Sequence, residues 1–229
     1  MGTVWTTVVG MTSTLLDARV AAALHRMFAE ADAQMPLLGE MMRRDAVPGE
    51  SSAQDRADAL SEFYLPVTPE AGRLLYTLVR ASRPTTVVEF GMSLGISAIH
   101  LASAVRDNGA GRVVTTELSE NKVAIASANF ADAGLDDVIT VLHGDALETL
   151  ASIDEPVQFV LLDGWKDLYL QVLQLLEPRL APGALIVADN TSMAGLAPYL
   201  DYMRDPANGY VSVHFPVRDS DSMEISCRT

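Results

Sequence analysis

Cysteine is almost missing from this chain: Cys227 is the one residue of its kind in 229. A single thiol closes no internal disulfide and builds no thiolate metal site, so the chain suits a reducing, cytoplasmic setting. Positive charge is scarce too. Lysine and arginine number 16 against 30 acidic residues, a net charge of −14. Such a surface repels phosphate backbones, which sets nucleic acid aside as a partner. The histidines, His25, His100, His143 and His214, are scattered and show no zinc-site spacing. No apolar run reaches the roughly 18–20 residues a membrane span needs, so no membrane partner is expected. The first residues carry no basic region, and a secretory signal is not expected. Met1-Gly2-Thr3-Val4-Trp5-Thr6 fits a myristoylation pattern, but no basic patch supplies a second anchor. Met11 offers an alternative start. Internal repeats and low-complexity segments are absent. This composition suits a soluble enzyme of small molecules; the plainer reading of the charge is that it only confers solubility.

What is present is a regular alternation. Residues 11–45 read as helical, with Leu15, Leu16, Val20, Ala23, Leu24, Met27 and Phe28 at helical spacing. A loop follows at 48–52, and a short helix over 56–63 stops before Pro66. Thr68-Pro69-Glu70 supplies an N-cap and a first-turn proline for a helix over 71–81. The period then changes. Buried strands at 85–90, 111–117, 138–143, 157–163 and 184–189 alternate with helices at 96–106, 120–133, 146–153, 166–180 and 197–203. Continuous Val, Ile and Leu runs predict a parallel sheet covered on both faces, an α/β fold. The last two strands, 210–217 and 222–228, follow each other directly and predict an antiparallel hairpin. Ligands in such folds sit at the carboxyl ends of the strands.

After the first strand comes Glu89-Phe90-Gly91-Met92-Ser93-Leu94-Gly95-Ile96-Ser97. Gly91 to Gly95 matches G-x-S-x-G, the elbow that carries a hydrolase serine. It is equally a glycine turn that cradles a nucleotide-like ligand. A hydrolase would use Ser93 with Asp163 or Asp189 and His214, yet its elbow normally follows several strands. The cofactor reading gains from what ends the next strands. Glu117 lies about 25 residues on, where an acid can accept both hydroxyls of a ribose. Asp145 follows the third strand, within reach of an adenine amine. The turn lacks G-x-G-x-x-G, which disfavours a nicotinamide dinucleotide and leaves S-adenosylmethionine as the better match.

Asp163 ends the fourth strand and Asp189-Asn190 the fifth. If the two are neighbours their ends lie about 5 Å apart. Two carboxylates that close need neutralising, and an all-oxygen set suits Mg²⁺ or another hard divalent cation. The alternative is local: a helix cap at Asp163 and a turn at Asp189 or Asn190. Lys166 lies three residues after Asp163, one of two lysines, with Lys122, among fourteen arginines. It sits where a helix end favours anions, so helix stability does not account for it. Lysine, unlike arginine, can give up its proton and act as a general base.

The stretches Leu162-Asp163-Gly164-Trp165-Lys166-Asp167-Leu168-Tyr169-Leu170 and Ala188-Asp189-Asn190, with VVEFG, VVTTELS and FADAGL, resemble the cation-dependent class I O-methyltransferases, the catechol and caffeoyl-CoA type. The resemblance runs from about Pro66 to Asn190. It implies a Rossmann-like class I methyltransferase fold, a seven-stranded mostly parallel sheet with a C-terminal antiparallel hairpin. One domain would cover 1–229, with 1–65 as a helical acceptor-pocket segment and 66–229 as the catalytic core. The family pattern makes Asp163, Asp189 and Asn190 metal ligands and Lys166 the base. It pairs Glu117 with the ribose, places Asp145 and Trp165 about the adenine, and sets Gly91, Ser93, Ser97 and Val67 around the methionine part. Glu89 and Asp163 also count among the donor's contacts. Ser93 is then a cofactor contact rather than a nucleophile. The implied acceptor is a small hydroxylated molecule, catechol-like or a natural product or sugar, and relatives are often homodimers. The animal enzyme's additional substrate-orienting acid has its nearest counterpart around Tyr210-Val211-Ser212, which offers no carboxylate.

Overall fold

The computed structural model describes residues 13–43, 52–218 and 221–229. Residues 11, 12, 44 and 45 of the expected first helix, Met11 as a start, and the loop at 48–51 lie outside the described residues. The strands are β1 (Thr86–Phe90), β2 (Arg112–Glu117), β3 (Ile139–His143), β4 (Val157–Leu162), β5 (Leu180–Ala188), β6 (Tyr210–Arg218) and β7 (Asp221–Arg228). Among the described residues they form one sheet in the order β3-β2-β1-β4-β5-β7-β6. β1 to β5 pair in parallel, and β7 runs antiparallel between β5 and β6. The expected α/β sheet with a terminal hairpin is what the chain builds.

Alternation along each strand feeds two cores. Val87, Phe159 and Leu161 face one side, where α1 (Ala18–Arg43), α3 (Pro69–Ser82), α4 (Ile96–Asn108) and α5 (Glu120–Ala133) pack. Val88, Val160 and Leu162 face the other, under α6 (Ala146–Thr149), α7 (Tyr169–Leu176) and α8 (Ala197–Arg204). This is why β1 is buried at every residue, Thr86 and Glu89 included. A short α2 (Ala53–Ala59) follows α1. None of the described helices is long and apolar enough to cross a membrane.

Local signals explain the boundaries. Thr68 Oγ1 accepts from the Ala71 amide at 3.0 Å and Pro69 opens α3. Several boundaries are corrected. The helix read over 56–63 is α2, Ala53–Ala59, and the one read over 146–153 is α6 followed by a tight turn at Leu150–Ser152. The helix read over 166–180 is a tight turn at Lys166–Leu168, then α7, then a second tight turn at Glu177–Arg179. Pro178 has no amide to donate, so α7 stops there, and β5 begins at Leu180 rather than 184.

His100 is the buried histidine of the α3–α4 contact, 3% exposed, with Nδ1 2.8 Å from the Ile96 carbonyl. A Cβ on Gly72 would come within 2.6 Å of its ring, so α3 packs directly on it. Burial, with a smaller contribution from the Arg73 charge, lowers its pKa to about 4. The unfolded chain takes up this proton below its ordinary value, about 6.5, while the folded chain resists until about 4. Stability is therefore expected to fall as pH drops through that window, by about 3 kcal/mol from this group. Urea unfolding at pH 7.5 and 4.5 checks it: His100→Gln should lose correspondingly less stability on acidification than the parent.

Candidate functional site

The parallel strands all end at one rim, and the sheet order reverses there between β1 and β4, which opens a crevice. Gly91 leaves β1 into it with φ +98°. A Cβ at Gly91 would fall 2.5 Å from the Gly164 Cα and N, so the turn after β1 lies against the turn after β4. Ser93 sits in the left-handed region at φ +50°. Its amide donates to Glu117 Oε2 at 3.0 Å, while the Leu118 and Ser119 amides donate to Oε1, each at 2.9 Å. Three backbone donors thus fix the Glu117 carboxylate beside the turn.

Leu162 of β4 and Ala188 of β5 are partners in register, so Asp163 and Asp189 stand at neighbouring strand ends. The Asp163 amide continues the ladder to the Phe90 carbonyl at 2.8 Å, and the Asp189 amide to Leu162 at 2.9 Å. Burial, then the charges of Asp189 and Glu89, push the Asp163 carboxyl up to about 8, against the pull of Lys166. Glu89 is fully buried beneath the turn and pushed up to about 7 by burial and then the Glu117 charge. Thr115 Oγ1 donates to its Oε2, whereas Oε1 has no hydrogen-bond partner. Lys166 Nζ donates to Asp163 Oδ1 at 3.3 Å and to the Tyr169 hydroxyl at 2.7 Å. Tyr169 in turn donates to the Asp189 carbonyl at 3.1 Å.

One cavity of about 420 Å³ gathers Gly91, Ser93, Glu117, Asp145, Asp163, Trp165, Lys166, Asp189 and Asn190. Val67 and Ser97 line a small recess beside it that shares Ser93. Glu89 lines neither. Asp145 also caps α6 by accepting from the Leu147 amide at 2.8 Å. The expected local alternative at Asn190 is partly present, since that residue takes φ +57° in a turn. Among the described residues no three His, Cys, Asp or Glu side chains cluster as a metal site. The set on offer is two carboxylates and an amide, oxygen donors of the kind a hard divalent cation takes.

Several cavity residues carried no signal in the sequence. The apolar roof comes from Met35 and Leu38 of α1, Ala57 of α2, Leu60, Leu65 and Met193. The Arg56 guanidinium stacks 4.4 Å over the Trp165 ring and ties this roof to the rim. Lys122 is 4% exposed, lines the cavity, and donates from Nζ to Ser93 Oγ at 3.3 Å. Its rarity as a lysine was the only hint. The hydrolase alternative fails on distance. His214 lies on β6, four strands from β1, about 19 Å at sheet spacing. Its Nδ1 is 3.9 Å from Glu224.

Residues 88–191 match the family described as "Methyltransferase domain". The probable O-methyltransferase Rv1703c of Mycobacterium tuberculosis is 37% identical over 149 residues, 60% of this chain and 63% of that one. The chain therefore spans less than two thirds of that relative's length. Catechol O-methyltransferase of Sus scrofa is 31% identical over 140 residues, 58% of this chain and 74% of that one. The O-methyltransferase of Bacillus cereus, solved in complex with SAH, superposes with a TM-score of 0.68 at 21% identity. That superposition covers 89% of this chain and 100% of the other, and is a likeness of fold.

The close approach at Gly91 is open to test against Gly109, which has φ +79° and nothing within 4 Å of its would-be Cβ. Alanine at either position meets the same left-handed backbone strain, roughly 1–2 kcal/mol. Only Gly91→Ala also meets the Gly164 backbone. It is expected to cost at least about 2 kcal/mol more than Gly109→Ala in chemical unfolding.

Proposed function

We propose that this chain, which belongs to the class I O-methyltransferase family that includes catechol O-methyltransferase, transfers the methyl group of S-adenosylmethionine to a hydroxyl of a small aromatic or natural-product acceptor. The observation that carries this reading is the single cavity joining the glycine turn, Glu117, and the Asp163–Asp189–Lys166 cluster at the sheet's switch point.

The donor is a substrate, and the chain's own groups would hold it. Glu117, already oriented by three amides, would accept the two ribose hydroxyls. Trp165 and Asp145 would flank the adenine. Gly91, Ser93, Ser97 and Val67 would surround the methionine part, with Glu89 buried behind them. The roof from α1 and α2, within the segment 1–65, would close over the acceptor.

The donor set at the rim fits a divalent cation. Asp163 and Asp189 stand as like charges at adjacent strand ends; burial first, then the Asp189 and Glu89 charges, raise the Asp163 carboxyl, and added positive charge would offset both. Mg²⁺ held by Asp163, Asp189 and Asn190 would make the acceptor hydroxyl more acidic. Lys166, in its neutral form after giving one proton to water, would take the hydroxyl proton at Nζ, with Tyr169 and Asp163 fixing its position. The acceptor oxygen then attacks the methyl carbon. A C–O bond forms, the C–S bond breaks, and its electron pair returns to sulfur, leaving a neutral thioether. The proton on Lys166 passes to water. Positioning the two reactants supplies much of the rate. The acceptor class is broader than catechols. Ser212, near the expected place for a second substrate acid, bonds instead to the Met203 carbonyl and Ser226.

Transfer to a panel of hydroxylated aromatics from labelled S-adenosylmethionine tests this reading. EDTA should abolish turnover and excess Mg²⁺ should restore it. Turnover that survives EDTA would remove the cation from the account. Lys166→Arg keeps the charge and cannot accept a proton, so kcat should fall by about 100-fold or more. Donor affinity, read by calorimetry, should stay within about threefold.

A further inference from the structure

The loop after β5 is stitched to the start of β7. The Thr191 amide donates to the Ser222 carbonyl at 2.8 Å, and the Thr191 and Ser192 hydroxyls each lie 2.8 Å from Ser222 Oγ. One bond in this seam reaches the cation cluster. Asn190 Nδ2 donates to Asp221 Oδ2 at 2.7 Å, while the Ser222 amide donates to Asp221 Oδ1 at 2.8 Å and holds that carboxylate still.

A carboxylate accepts hydrogen bonds and an amide has two unlike heads. Asp221 therefore selects the NH₂ head of Asn190, and the carbonyl oxygen is the head left for the cavity that Asn190 lines with Asp163 and Asp189. The backbone at φ +57° fixes where this side chain starts. We propose that Asp221 is a positioning residue that turns the Asn190 carbonyl toward a divalent cation, and that this partner is why position 190 carries an amide rather than a third carboxylate. The inference rests on the cation reading above. An aspartate at 190 would meet Asp221 carboxylate to carboxylate, whereas an asparagine at 221 would restore the hydrogen bond with its direction reversed.

The test is Mn²⁺ affinity, read by the electron paramagnetic resonance of free Mn²⁺ in titrations of the full chain, with thermal unfolding alongside. Asp221→Ala should weaken Mn²⁺ by about tenfold or more. Asp221→Asn should stay within about threefold, because its own carbonyl can accept from Asn190. A pure charge effect would instead weaken both alike. Asn190→Asp should bind worse than the parent, and Asn190→Asp with Asp221→Asn should recover most of the loss. Charge alone predicts the opposite, because the double variant has one acid fewer than Asn190→Asp. A folded Asp221→Ala that binds Mn²⁺ like the parent overturns the assignment and leaves the cation reading standing. If Asp221→Ala does not fold, a double variant no better than Asn190→Asp overturns it equally. A parent chain that binds no Mn²⁺ overturns both.

Discussion

Three acids are held out of water at the ends of neighbouring strands, and the arrangement of the site follows from that constraint. Glu89 and Asp189 are 0% and 4% exposed, and each raises the cost of ionising Asp163. The sheet cannot move them apart. The parallel register pins Glu89 against Leu161 and sets Asp163 one step beyond Leu162, beside Asp189. Buried like charges are destabilising unless something offsets them, and one lysine at 3.3 Å offsets only part. A fold that keeps two of these acids, Asp163 and Asp189, in the wall of a cavity has the usual mark of a functional site. In the proposed reading the remaining offset comes from a cation.

The same constraint accounts for the chain's two lysines. Arginine serves at fourteen positions, while Lys122 and Lys166 both line the one cavity. Each faces an acid-rich wall, Lys122 near Glu117 and Lys166 beside Asp163. An ammonium group is a compact, strongly hydrated point charge on a flexible stem, unlike a planar guanidinium fork. Burial lowers the Lys122 pKa, partly opposed by the Glu117 charge. The two cations therefore mark the two halves of the cavity, one at the glycine turn and one at the acid pair.

What could be read from the sequence follows the range of the interactions involved. Strand runs, the Thr68-Pro69 start of α3, and an acid just past each strand are local. A strand's length fixes where the rim falls, so Glu117, Asp145, Asp163 and Asp189 could be placed without knowing the packing. Lys122 could not. Its direction depends on the rotation of α5, which Ser119 sets by capping the helix from β2's end. Tyr169 stood in the motif stretch with no role of its own, and its ring is fully buried. Only the turn of α7 brings its hydroxyl between Lys166 and the Asp189 carbonyl. The start of β5 was misplaced because Pro178 ends α7 earlier than the apolar periodicity suggests. The roof residues were invisible for a different reason. α1 reaches the cavity by packing across α5, through Arg26 to Asn129 and Asp132 at 3.0 Å each, and such contacts leave no pattern in either segment.

Floor and roof of the cavity are therefore built by different physics. The floor is fixed by strand register and backbone hydrogen bonds, so small displacements of Glu117, Asp163 or Asp189 would have to break the sheet ladder. The roof is methionine, leucine and alanine: Met35, Leu38 and Ala57 on helices, and Leu60, Leu65 and Met193 on the connections beside them. Arg56 stacks on Trp165 and approaches Asp167 at 3.6 Å, a partly exposed pair worth at most about 1 kcal/mol. Methionine and leucine walls adapt to shape far more readily than a buried acid pair can. Substitutions at Met35, Leu38 or Met193 can therefore reshape the acceptor space without disturbing the groups proposed to carry the proton and hold the donor. In the proposed reading, this division makes acceptor preference the property freest to drift in this chain, and methyl transfer the property least free.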